Sequence, residues 1–213
     1  MSLLQRKTLS WLLAGLTAVA APSVMAATNL MAVEDTVTRL TLGLDWDTIR
    51  SGLANFSTDQ DNAAGRFNLF KYRGATVIAD YGHNPDAMLA LVNAVNTMPA
   101  TRRSVVISGP GDRRDQDIRQ ITEILGDTFE EVVMFEDQCQ RGRQDGEVMA
   151  LLREGLASAK KATQRSEIYG EFLAIDKAMD ALQPGELCLI LVDQVEEAMA
   201  YIAAKIAQDA AVA

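Results

Sequence analysis

The chain has 213 residues, 48% of them hydrophobic and 23% charged, an ordinary globular composition with room for one well-packed domain and an appendage. Its formal charge of −9 excludes a surface built to neutralise phosphates along a nucleic acid, which needs clustered cationic excess, so basic residues must act locally. Cys139 and Cys188 lack metal-ligand spacing, and Cys188 within Leu187–Leu191 reads as a small buried hydrophobe. No disulfide and no metal site is expected.

Residues 1–26 have the parts of a secretory signal peptide: Arg6 and Lys7, an apolar stretch from Leu9 to Val24, then small residues before Ala27. The stretch is short for a spanning helix, and Pro22 interrupts its end. A buried helix or a mis-set start is the alternative. Residues 27–56 read as two helices: Leu30, Val33, Val37 and Leu40 recur at helical spacing before Gly43, and Asp45 or Asp47 caps a second helix carrying Ile49 and Leu53. Residues 57–65 are small, polar and aperiodic, which marks a linker and a domain boundary.

From there to the C-terminus, residues 66–213, apolar runs alternate with amphipathic segments. Strands are expected at 75–79, 104–108, 131–135 and 187–192, with a weaker one at 167–169. Helical stripes run through Met88, Leu91 and Val95; Ile118, Ile121 and Leu125; Val148, Leu151 and Leu152; Phe172, Ile175, Met179 and Leu182; and Met199, Ile202 and Ile206. This pattern predicts an α/β, three-layer Rossmann-like domain with a mainly parallel sheet of about five or six strands beginning near Ala75. Such sheets bind ligands beyond the carboxyl ends of their strands, which directs attention to residues 80–85, 109–115, 136–146 and the turn at Asp193.

In the first loop Asn84 is a favoured N-cap, Pro85 suits the first helical position and Asp86 adds a carboxylate to the first turn. That leaves Asp80 at the strand end and His83, the only histidine, facing the ligand edge. The second loop, Gly109-Pro110-Gly111-Asp112-Arg113-Arg114-Asp115, bends on two glycines into a helix. It lacks the third glycine of a dinucleotide fingerprint, and Asp115 reads as the helix cap. No Gly-x-x-x-x-Gly-Lys-Ser/Thr phosphate loop occurs. The third loop carries Arg141-Gly142-Arg143, whose planar guanidiniums suit carboxylate or phosphate, with an exposed flexible loop as the plainer reading.

Taken in order, Gly65-Arg66-Phe67, then Asp80-Tyr81-Gly82-His83-Asn84-Pro85-Asp86-Ala87, then residues 109–115, then Arg141-Gly142-Arg143 followed by Gly146-Glu147 resemble successive blocks of the C-terminal Mur-ligase-like domain of cyanophycin synthetases. The resemblance runs from about Asn29 to the end. It implies that residues 27–56 are the last two helices of a central ATPase domain and that residues 66–213 close over ATP to join a carboxylate to an amine, with arginine as the implied amino acid. By the same resemblance Arg66 and Asp80 would bind nucleotide, and His83 and Asn84 would serve the amine-transfer chemistry. Asp112, Arg113, Asp115, Arg141 and Arg143 would position the incoming amino acid. ATP and Mg would be held mainly by a central domain, in cis or in trans, so the chain alone is expected to be inactive. The family implies the cytoplasm, whereas residues 1–26 argue for export. A non-catalytic, exported binding domain of the same fold is the alternative function.

Overall fold

The computed structural model describes residues 63–137 and 140–212. The signal-like stretch, the two N-terminal helices, most of the linker and Cys139 lie outside the described residues. Within them the chain runs β1 (Asn68–Tyr72), β2 (Ala75–Asp80), α1 (Pro85–Thr97), β3 (Arg103–Ile107), α2 (Asp115–Gly126), β4 (Glu131–Glu136), α3 (Glu147–Ala157), β5 (Gln164–Tyr169), α4 (Glu171–Ala181), β6 (Leu187–Leu191) and α5 (Val195–Val212).

The six strands form one sheet in the order β1-β2-β6-β3-β4-β5. Every neighbouring pair is parallel except β1 and β2. Alternate residues of each strand feed opposite layers. Ile78, Val105, Ile107, Met134 and Leu189 pack with α1, α2 and α3, while Val77, Val106, Val133, Phe135, Cys188 and Ile190 pack with α4 and α5. This two-sided burial is why the central strands read as unbroken apolar runs. Cys188 is buried, as expected of a small apolar residue in this run, and burial pushes its thiol up to about 12.

The sheet starts earlier than the sequence suggested. β1 pairs antiparallel to β2 through the two-residue loop Arg73-Gly74, whose φ angles of 49 and 78 are both left-handed, the requirement of a type I′ turn. An arginine at that first position is held by its ion pair to Asp209 (2.6 Å) and by lying over the Tyr72 ring.

The topology also locates a crevice. The chain moves across the sheet from β2 through β3 and β4 to β5 with its helices on one face. It then returns through α4 to β6, inserted between β2 and β3, and leaves on the other face as α5. Connections departing to opposite faces leave an opening beyond the carboxyl end of β6, the position at which doubly wound sheets hold ligands.

Candidate functional site

That opening is built by the turns after β2, β3, β4 and β6. After β2, the Asn84 side chain accepts from the Ala87 N–H (2.8 Å) and Pro85 begins α1, as its sequence implies. Asn84 is thus engaged in holding the loop. The cap leaves Tyr81, Gly82 and His83 turned over the strand end. The loop passes close over α1 at Gly82, where a Cβ would meet the end of the Met88 side chain. The His83 ring lies tilted at 52° against Tyr81, their centroids 3.6 Å apart, and the Arg66 guanidinium lies 5.6 Å from the Tyr81 ring centroid.

Asp80 closes the linker onto this loop. Its carboxylate accepts from the Phe67 N–H (2.8 Å), and the Tyr81 N–H donates to Gly65 O (2.8 Å). Burial drives Asp80 up to about 6, against the lowering effect of the Phe67 amide, Arg66 and the Gly82 amide. An acid whose folded value is raised favours folding most when protonated. Its contribution is fully present below the unfolded value near 3.8 and is lost as pH rises through about 6. Asp80→Asn removes that ionisation. The stability difference between variant and parent, measured by denaturant unfolding, is therefore expected to shift toward the variant by about 1–2 kcal/mol between pH 4 and pH 7, allowing for residual hydration. A difference that stays flat across that range would remove this account.

Asp193 follows β6 at the centre of the opening, and its side chain is only 14% exposed. Its position is set by Glu171, a buried acid at the start of α4, which accepts from the Asp193 N–H (2.8 Å) and the Gln194 N–H (3.1 Å). Burial raises the Asp193 carboxyl to about 6, a hydrogen bond with Asp137 adds to the rise, and Arg141 opposes it. His83 Nε2 lies 3.9 Å from Asp193 Oδ1 and is buried without a hydrogen-bond partner. Burial lowers the His83 pKa; the Gly82 backbone opposes this, while Arg141, Arg113 and Arg66 lower it further. At neutral pH it is an uncharged imidazole. Buried polar atoms are normally satisfied, so an orphan nitrogen in an opening marks a place for a ligand atom or a water.

The two arginines of the third loop differ. Arg141 bridges Asp193 (2.7 Å) and Asp112 (3.6 Å) across the opening. Arg143 turns inward and donates to Gly111 O (2.7 Å), Arg113 O (2.7 Å), Asp115 (2.8 Å) and Glu147 (2.6 Å). Four of the five donors a guanidinium possesses are used, so Arg143 staples the second and third loops. Gly111 fits beneath it because a Cβ would overlap Gln140 O. Asp115 is not the cap expected of it: Arg114 is the N-cap without a side-chain bond, and Asp115 opens the first turn of α2 with its carboxylate on Arg143. Arg114 instead pairs with Asp117 (2.8 Å).

His83, Asp112, Arg113, Arg141 and Arg66, which follows the linker, thus lie about one opening, with Asp80 and Asn84 fastening its first loop and Arg143 and Asp115 its others. Sequence reasoning singled out the turn at Asp193 but not its carboxylate, and passed over Glu171 and Asp137. Position after a buried strand was the signal for Asp193. Nothing local marks Glu171, whose backbone partners lie 22 and 23 residues away.

Residues 65–212 match the family described as Mur ligase, glutamate ligase domain. The chain is 32% identical over 163 residues to the cyanophycin synthetase of Synechocystis sp., covering 76% of this chain and 19% of that protein. It is 34% identical over 132 residues to the UDP-N-acetylmuramoyl-L-alanyl-D-glutamate–2,6-diaminopimelate ligase of Bradyrhizobium diazoefficiens, covering 61% of this chain and 26% of that one. The chain therefore spans less than a fifth of the length of the cyanophycin synthetases it matches. Among solved structures, E. coli FolC in complex with DHPP and ADP superposes with a TM-score of 0.63 at 22% identity, covering 82% of this chain and 39% of that chain. That likeness speaks to the fold.

Proposed function

The chain belongs to the Mur ligase family, and from that premise we propose that it is the closing C-terminal domain of an ATP-dependent amide ligase of the cyanophycin synthetase kind. The observation that carries this reading is the orphan His83 Nε2 beside Asp193, at the switch point of the sheet, where the charges of Arg141, Arg113 and Arg66 are near enough to lower its basicity. A reaction that forms an acyl phosphate and then delivers an amine needs cations for the phosphate charge, an acceptor for the amine proton, and exclusion of water.

In this assignment Arg66, just after the linker, and Asp80, at the end of β2, serve the nucleotide side, and neutral His83 takes a proton as the amine attacks. Asn84 holds His83 in place. The amine bonds to the acyl carbon, phosphate leaves with the bonding electrons, and one proton is released. Asp112, Arg113 and Arg141 contact the incoming amino acid, arginine in this reading, while Asp115 and Arg143 shape its loops. Among the described residues no three His, Cys, Asp or Glu side chains gather as a metal site. ATP and Mg are assigned mainly to a central domain supplied in cis or in trans, and this chain's own share is binding and orientation.

The test is reconstitution. Joined to a central domain of a cyanophycin synthetase, the chain is expected to support ATP-dependent amide formation, and alone to hydrolyse no ATP above background. Arg66→Ala and Asp80→Ala in the joined protein should each lower the rate about tenfold to a hundredfold, the range for weakening one charged contact at a partly solvated site. Joined protein that tolerates both within a fewfold would remove these assignments. Residues 1–26 favour a second reading, an exported binding domain. No helix among the described residues is long and apolar enough to cross a membrane. Mass spectrometry of the chain from cells decides this point: cleavage after Ala26 would support export.

A further inference from the structure

At the far edge of the sheet from β1, strand β5 pairs with β4 alone among the described residues. The Gln164 N–H donates back to Glu130 O and the Gly170 N–H to Glu136 O. Because strand groups alternate in direction, the even-numbered amides face β4, and those of Arg165, Glu167 and Tyr169 point outward. Gln164, Arg165, Glu167 and Tyr169 are exposed, and Tyr169 is 57% exposed. Ser166 Oγ at the middle of the strand is buried with no hydrogen-bond partner. Two surface depressions of about 220 and 300 Å³ border the strand and share Arg153 and Glu167.

We propose that this edge pairs with β5 of a second copy of the chain, antiparallel about a two-fold axis through Ser166. Charge selects both the partner and the register. A perpendicular two-fold keeps side chains on their own face, so residues of like parity must oppose one another. Centring on Arg165 sets Arg165 against Arg165, and centring on Glu167 sets Glu167 against Glu167. Centring on Ser166 sets Arg165 against Glu167 twice, and Tyr169 against Thr163 twice. Opposite charges and aromatic–β-branched pairs facing across strands are stabilising, and like charges are destabilising. Arg165 and Glu167 then lie at the positions whose outward amides exchange hydrogen bonds. The two Ser166 residues form the close pair between them, where each hydroxyl gains a partner. Charges on an edge strand ordinarily repel indiscriminate pairing. Here they set like charges against each other in the two neighbouring registers of like parity, centred on Arg165 and on Glu167, and Arg153 of α3, which already holds Glu167 (2.6 Å), flanks the same pair. The inference does not depend on the ligase reading.

The test uses the full chain. Sedimentation equilibrium is expected to find a dimer. Glu167→Pro removes an amide that makes no bond within the sheet, so the monomer should keep its far-UV spectrum while the dimer Kd rises about tenfold or more. Arg165→Glu should weaken the dimer similarly, and adding Glu167→Arg should restore it, because the pair is only reversed. Ser166→Cys should give a covalent dimer on mild oxidation, since a close antiparallel pair falls within disulfide reach. Arg165→Cys should give no more crosslink than the parent chain. A monomer at all concentrations, or a dimer indifferent to Glu167→Pro, overturns the proposal.

Discussion

Gly155→Val is expected to lower the stability of the domain by about 3–4 kcal/mol and Gly155→Ala by about 2 kcal/mol, larger than ordinary surface changes. Gly155 lies inside α3, where a glycine normally costs about 1 kcal/mol relative to alanine. Substitution should therefore help if only the helix mattered. Yet a Cβ at Gly155 would overlap the backbone carbonyl oxygen of Arg119 in α2, with the Arg119 carbon atoms at 3.0 Å. No flexible side chain can yield there, so one helix must move off the other. Valine adds χ1 restriction in the helix to the same overlap. Glu154→Ala is the control: it removes only the exposed pair to Arg119 (2.6 Å, side chains 56% and 41% exposed) and should change stability by less than about 0.5 kcal/mol. Thermal unfolding measures both, and the valine variant should melt about 10 °C lower. A valine variant as stable as the parent would show that α2 and α3 do not rely on this contact.

The same residue illustrates what a sequence conveys and what it hides. The central strands were legible because burial on both faces writes a continuous apolar run, and α1 because Asn84, Pro85 and Asp86 mark a helix start in adjacent positions. β1 was not legible. It buries Asn68 and exposes Leu69 at 41%, inverting the expected polarity, and its turn uses Arg73-Gly74 where asparagine or aspartate is the familiar signal. For the site, the strand-to-helix alternation named the correct loops, since all parallel strands end on one side. It could not tell Arg141 from Arg143, two residues apart with the same chemistry. That distinction depends on the close approach of Gly111 to Gln140, which brings the second and third loops into contact. Gly155 likewise reads as a weak point in a helix until the neighbouring helix is seen.

Arg141→Ala in the chain joined to a central domain is expected to reduce amide formation about a hundredfold to a thousandfold, mainly in kcat/KM for the amino acid, with folding unchanged. Arg141 is the cation that reaches across the opening, and its present partners, Asp193 and Asp112, are acids that an incoming substrate can displace or share. Once a central domain closes over the opening and excludes water from it, losing one charge-assisted contact there is worth about 2.7–4 kcal/mol in the transition state. Arg143→Lys should behave differently. A lysine keeps the charge but not the planar fork that holds Gly111, Arg113, Asp115 and Glu147 together. The two loops should loosen, giving faster amide exchange around residues 111–115 and 140–147 and a smaller loss of rate, about tenfold, that concentrated substrate does not rescue. Equal effects of the two variants on exchange and on kcat/KM would erase the distinction between a substrate-facing arginine and a loop staple. Normal ligation by the Arg141→Ala protein would move the amino-acid site away from this rim, while leaving the Arg143 staple as observed.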